Sequence, residues 1–215
     1  LLEKPISRTL EEADELIELA GSKSLILQVG HLERFNGAML ALEGSIQNPM
    51  FIESNRLGPF LTRGTDVDVV LDLMIHDIDI LLSLVNSKVK RLQAVGIPIL
   101  TPYLDMANAR IEFENGSAAN LTTSRVSREK VRKTRIFQSD GILSIDYLSQ
   151  KLSISKKVSS LGKKETPEMV MEEITVKKTD LLEAEIHSFI QSVKDRKPVQ
   201  VSGLDGKRAL DVALQ

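Results

Sequence analysis

The apolar positions alternate between helical and strand-like periods along the chain, and those changes of period outline the predicted elements. Leu10, Ala13, Leu16, Ile17 and Ala20 fall on one helical face. Thr9 followed by Glu12 forms a capping box ahead of them, and Gly21 supplies a stop. SLILQVG (24–30) is a continuous apolar run ending in glycine and predicts a buried strand. GAMLALEGSI (37–46) predicts a second helix and FIESNRLG (51–58) a strand. GPFLTRGTD (58–66) reads as a loop, and Asp66 or Asp68 then caps a helix running to about Val85.

A β-rich stretch follows. Lys88–Ile97 predicts a strand, and ARIEF and SAANLTTS flank Asn115-Gly116, the strongest short hairpin signal. RIFQS and ILSIDYL flank Asp140-Gly141 in the same way, and KLSIS (151–155) extends the meander. Residues 156–168 read as an exposed loop and EEITVKK (172–178) as a strand. DLLEAEIHSFIQSVKD (180–195) is an amphipathic helix with Leu181, Leu182, Ile186, Phe189, Ile190 and Val193 on its core side. A last helix starts near Gly203.

This order predicts an α+β fold: an open, mostly antiparallel sheet with helices on one face. The other sheet face then needs a cover, and a partner subunit is one way to provide it. The first 30 residues, helix then buried strand, read as the tail of an α/β unit. The chain starts on two leucines rather than Met, as if cut from something longer.

Composition narrows the function classes. The 215 residues carry a net charge of −2, which favours neither DNA nor an anionic membrane as main partner. No apolar run reaches the roughly 18 residues of a membrane helix, no signal-peptide layout opens the chain, and a cytoplasmic protein is expected. With no cysteine there is neither a disulfide framework nor a thiolate site. The basic run SREKVRKTR (127–135) lacks interleaved aromatics and reads as a solvated strand face rather than a nucleic-acid site, a share in binding a nucleotide diphosphate being the weaker alternative. The glycines are too scattered for a dinucleotide fingerprint.

The candidate chemistry lies in LDLMIHDIDIL (71–81). On a helix, Asp68, Asp72 and His76 are spaced by four and stack, with Asp79 continuing the stripe and Asp77 capping a surface. A carboxylate beside a neutral imidazole raises its basicity, which suits a general base facing a cleft. Taken alone, such a histidine is more often a structural pair with its neighbour. A metal site built on His31, Asp72 and His76 has too few ligands and no HExxH, so no metal is expected.

Two further segments shift the balance: Glu3-Lys4-Pro5 ahead of a capped helix, and VGHLERFN (29–36), where a strand ends and delivers His31, Arg34 and Asn36. With VVLDLMIHDID (69–79), these resemble the Gfo/Idh/MocA oxidoreductases along essentially the whole chain. The resemblance implies residues 1–30 as the residual end of a dinucleotide-binding Rossmann domain, and 31–215 as a substrate-binding and oligomerisation domain. It implies an NAD(P)-dependent dehydrogenase acting on a sugar or nucleotide sugar, with C3 of UDP-N-acetylglucosamine the nearest match. Lys4 would hold the substrate oxygen, His76 would be the general base and Asp72 would orient His76. Glu3, Lys4 and Pro5 would border the cofactor, with Lys4-Pro5 in the cis form. His31, Arg34, Asn36, Arg56 and Arg125 are the implied substrate contacts. NAD or NADP would be bound mainly by a domain ahead of Leu1, so this chain alone would be inactive. The open sheet would form a homo-oligomer, a dimer or tetramer. A non-catalytic scaffold is the alternative, and retention of Lys4, Asp72 and His76 argues against it.

Overall fold

The computed structural model describes residues 1–42, 44–62, 64–158 and 168–215. The framework among these residues is an eight-stranded sheet. Its strands are β3 (Phe51–Leu57), β4 (Val89–Ile97), β5 (Met106–Phe113), β6 (Ala118–Ser124), β7 (Val131–Gln138), β8 (Gly141–Asp146), β9 (Lys151–Val158) and β10 (Glu168–Ile174). They lie in the order β10-β9-β8-β7-β3-β6-β5-β4, antiparallel except where β3 runs parallel to β6. A separate short pair, β1 (Leu2–Glu3) and β2 (Val29–Gly30), is parallel. The helices are α1 (Leu10–Ser22), α2 (Gly37–Leu40), α3 (Ile75–Leu84), α4 (Leu181–Asp195) and α5 (Gly203–Leu214).

Strand alternation explains why one face of the large sheet is apolar. Ile52, Ile111, Phe113, Leu121, Ile136, Leu143 and Leu152 are buried in one core with Ile75, Ile78 and Leu81 of α3 and Ala209 and Val212 of α5. Burying each large aliphatic side chain contributes about 1.5–3 kcal/mol. The opposite face carries Glu53, Lys133, Arg135, Asp146, Lys151 and Glu173 as exposed or half-exposed ion pairs. A second, smaller core joins Ile6, Ala13, Val29, Phe35, Val201 and Leu210. The two cores share α5, whose Leu210 belongs to the small one and whose Ala209 and Val212 belong to the large. No helix among the described residues is long and apolar enough to cross a membrane.

Several sequence expectations are revised. The strand expected over 24–30 is realised only at Val29–Gly30, because its parallel neighbour Leu2–Glu3 is itself two residues long. The helix expected over 37–46 is a single turn, Gly37–Leu40, capped by the Asn36 side chain. Neither Asp66 nor Asp68 caps the next helix. The Asp68 carboxylate accepts from the Leu104 N–H instead, and the helix opens at Val70 with a π turn, Val70–Met74. Of 172–178 only Glu172–Ile174 is strand, and of the loop expected over 156–168 residues 156–158 and Glu168 are strand while 159–167 lie outside the described residues. The supposed core side of α4 is largely exposed: Leu182 at 52%, Ile186 at 41%, Ile190 and Val193 at 44%. Thr9 caps α1 through the Glu12 N–H, but the Glu12 carboxylate accepts from Arg8 rather than Thr9.

Candidate active site

β1 and β2 run parallel in register, Leu2 beside Val29 and Glu3 beside Gly30, so Lys4 and His31 leave the same end of neighbouring strands. That end is where parallel strands present ligand groups. The Lys4-Pro5 peptide is cis. Lys4 Nζ donates to the Leu71 carbonyl at 3.4 Å and to the Asp72 carbonyl, and lies 3.7 Å from Asp72 Oδ1. Burial lowers the Lys4 pKa from its ordinary value, and Asp72 opposes that shift.

The helical segment that meets Lys4 is not a plain α-helix. Its first turn is π (Val70–Met74), a geometry that widens the spacing between stacked residues and recurs at functional sites. The Asp72–His76 hydrogen bond expected from a spacing of four is not formed, and His76 Nδ1 is enclosed without a hydrogen-bond partner among the described residues. The Asp72 carboxylate lies instead toward Lys4 and the Gly64 backbone. Nε2 is the other ring nitrogen of His76, and the residue as a whole is half-buried. Burial, then the charges of Arg56 and Lys4, hold the His76 pKa well below 6.5, so the ring is neutral at physiological pH.

Asp77 is not a surface cap. It is buried, and Arg56 grips it bidentately, Nε to Oδ2 at 2.8 Å and Nη2 to Oδ1 at 3.1 Å, while Ser54 Oγ donates to Oδ1. Glu33 receives Arg56 Nη1 at 3.0 Å, Arg132 Nη1 at 3.5 Å and Asn36 Nδ2 at 3.3 Å. Arg125 is committed in the same way: Nε to Asp105 at 2.8 Å, Nη1 to the Gly64 and Val67 carbonyls, Nη2 to Thr101.

Two clefts flank Asp72. One, of about 900 Å³, is lined by Lys4, Pro5, Ile6, Leu16, Leu71 and Asp72. The other, of about 370 Å³, is lined by Arg56, Gly64, Asp72, Arg125, Lys130 and Arg132, among others. Of the implied substrate contacts, Arg56 and Arg125 border the second cleft with guanidinium groups already held by carboxylates. Asn36 is fully buried and spends its side chain capping α2 and bonding the Tyr147 carbonyl. His31 is 1% exposed and packed edge-on to His76 with ring centroids 6.1 Å apart, and neither histidine lines either cleft. Arg34 points elsewhere, toward Asp79 at 3.9 Å and the Gln200 carbonyl. Glu3 is exposed and outside both clefts. No group of three or more His, Cys, Asp or Glu side chains able to hold a metal ion is assembled among the described residues.

A family model described as the GFO/IDH/MocA C-terminal domain matches residues 35–144. UDP-N-acetylglucosamine 3-dehydrogenase of Acidithiobacillus ferrooxidans is 38% identical over 216 residues, covering 100% of this chain and 69% of that protein. The chain belongs to the GFO/IDH/MocA family. Its fold matches a solved structure of the same Acidithiobacillus ferrooxidans dehydrogenase with a TM-score of 0.93, over 100% of this chain and 69% of that one. A more distant fold match is scyllo-inositol dehydrogenase from Lactobacillus casei, at 21% identity and a TM-score of 0.72, over 99% of this chain and 68% of that one.

Family motifs drew attention to Lys4, Asp72 and His76, but not to Glu33, Lys130 or Arg132. The signal for the last two was present in SREKVRKTR. Strand alternation divides that run, placing Arg132 on the cleft side and Lys133 and Arg135 on the outer face.

Proposed function

We propose that the chain carries the substrate side of an NAD(P)-dependent dehydrogenase that oxidises a nucleotide-sugar hydroxyl, with C3 of UDP-N-acetylglucosamine the favoured position. The observation that carries this reading is Asp72, which borders both clefts, set beside Lys4, which borders the larger. The name of the 38% identical relative supports the substrate class. Residues 1–30 are read as the closing end of the dinucleotide-binding domain, and 31–215 as the substrate and oligomerisation domain.

A nicotinamide is proposed for the larger cleft, where Ile6, Leu16, Leu19 and Leu71 lie beside the Lys4 ammonium and Arg8, Glu12 and Glu15 also line the walls. Pro5 and Lys4 would border it, and a bound NAD(P) would supply the hydride acceptor. The remaining chemistry belongs to this chain. His76, neutral at physiological pH, takes the hydroxyl proton at Nε2. Lys4 donates to the substrate oxygen and stabilises the negative charge that develops there. Asp72 acts on Lys4 rather than His76, since its carboxylate lies toward the ammonium. His31 and Asn36 serve the site by packing, and Arg56 anchors the strand beneath His76 through Asp77. The outer sheet face, with its balanced charge pairs, is the proposed homo-oligomer contact.

The test uses the full-length protein, NAD+ or NADP+ and a panel of UDP-sugars, following absorbance of the reduced cofactor. Turnover is expected with UDP-N-acetylglucosamine. Absence of turnover with every UDP-sugar would remove the substrate assignment.

A further inference from the structure

Arg56 on β3 and Arg132 on β7 are directly opposite residues in the antiparallel register. Like charges placed opposite each other on one sheet face destabilise a sheet, and folding alone gives no reason for the pairing. Here a single carboxylate oxygen, Glu33 Oε1, receives an Nη1 from both guanidinium groups. Arg56 is fully engaged by Asp77 and Glu33, and its side chain is 3% exposed. Arg132 differs: its side chain is 37% exposed and its contact with Glu33 is longer, at 3.5 Å. Lys130 lies just before β7, is exposed, and makes no ion pair among the described residues. Both line the 370 Å³ cleft that Asp72 also borders. Lys133, one residue along the strand, faces the other side of the sheet and pairs with Asp146.

Resting on the proposed function, we propose that Lys130 and Arg132 form the subsite for the diphosphate of the nucleotide-sugar substrate, with Glu33 and Arg56 holding Arg132 in place. A guanidinium oriented from behind by a carboxylate turns a planar, delocalised positive charge toward the cleft, a group suited to phosphate oxygens. Lys130 adds a mobile point charge beside it. The sugar then extends from this end of the cleft toward Asp72 and Lys4. Positive charge at Arg56, Lys4 and Arg132 disfavours protonation of His76, and an arriving diphosphate offsets part of that field.

The test is calorimetric titration of UDP and of uridine into the full-length protein, with Lys130→Ala, Arg132→Gln and, as control, Lys133→Ala. Wild-type protein should bind UDP more tightly than uridine. Lys130→Ala and Arg132→Gln should each weaken UDP roughly 10- to 100-fold, the loss expected for charge-assisted hydrogen bonds. Uridine binding should be unchanged in both, KM for the UDP-sugar should rise with kcat little altered, and Lys133→Ala should match wild type. Arg132→Lys keeps the charge over Glu33 and should recover part of the loss. Unchanged UDP affinity in both variants, with UDP-sugar turnover intact, would overturn the subsite and leave the proposed function standing. Turnover of unphosphorylated sugars with no preference for UDP over uridine would overturn both.

Discussion

At the scale of single residues, identity and partner separate. Lys4, Asp72 and His76 stand out in the sequence because their spacing matches a motif. Their partners do not, because partners depend on tertiary register. Asp77 is the clearest instance: a helical period places it off the polar stripe, yet it lies over the sheet, where Arg56, 21 positions earlier in the chain, closes a bidentate pair. His31 illustrates the reverse, a polar residue at a strand end that looks like a ligand and is packed behind His76. Asp79 shows what an imperfect partner does. Its Oδ2 has no hydrogen-bond partner among the described residues, Arg34 is 3.9 Å away, and Asp205 and Arg208 of α5 face it with opposite charges. Burial, only partly countered by Arg34, raises its pKa from 3.8 to about 7. A carboxyl group raised on folding binds its proton more tightly in the folded chain, so its contribution to stability falls as pH rises from about 4 to about 7 and is level above that. Glu185, also raised to about 7 from 4.5, acts in the same direction. Asp79→Asn should flatten the fall in urea midpoint across this window, by about 1.4 kcal/mol for each pKa unit removed. An unchanged slope would show that Asp79 ionises normally.

At the scale of elements, alternation and turn residues were legible, and exceptions to regular periods were not. The hairpin at Asn115-Gly116 forms as its sequence demands, with Gly116 at φ +89°. Gly141 does not serve its hairpin through a left-handed conformation. A Cβ on it would meet the Ser155 carbonyl oxygen at 2.3 Å, because β9 crosses that close to β8. Gly141→Ala should therefore cost on the order of 1–3 kcal/mol by overpacking backbone, read as a lower denaturation midpoint, whereas a relaxed turn glycine would lose less. The π turn is the most consequential exception. It changes how Asp72 stands to His76, and a 3.6-residue period offers no warning of it. The apolar stripe on α4 was legible as a stripe, but not which way it faces, since a sequence period cannot tell a core from an unoccupied surface.

At the scale of the molecule, the site is assembled by segments far apart in the chain. Lys4 reaches the backbone of Asp72 across 68 positions, and Arg56, Glu33 and Arg132 come together from a strand, a short 3-10 helix and a second strand. The two hydrophobic cores, joined through α5, hold these parts on rigid elements, as a preorganised site requires. The fold class was readable from the run of strands bracketed by helices. The pair of clefts around Asp72, one lined by Lys4 and Pro5 and the other by Arg132 and Lys130, appears only once the sheet is folded. The central claim is that a neutral His76 takes the substrate's proton at this junction. The most direct measurement compares wild-type and His76→Ala full-length protein, with kcat on the UDP-sugar and Kd for UDP measured on the same preparations. The account predicts a loss of roughly 10²–10⁴ in kcat with UDP affinity unchanged; normal turnover in His76→Ala would contradict it.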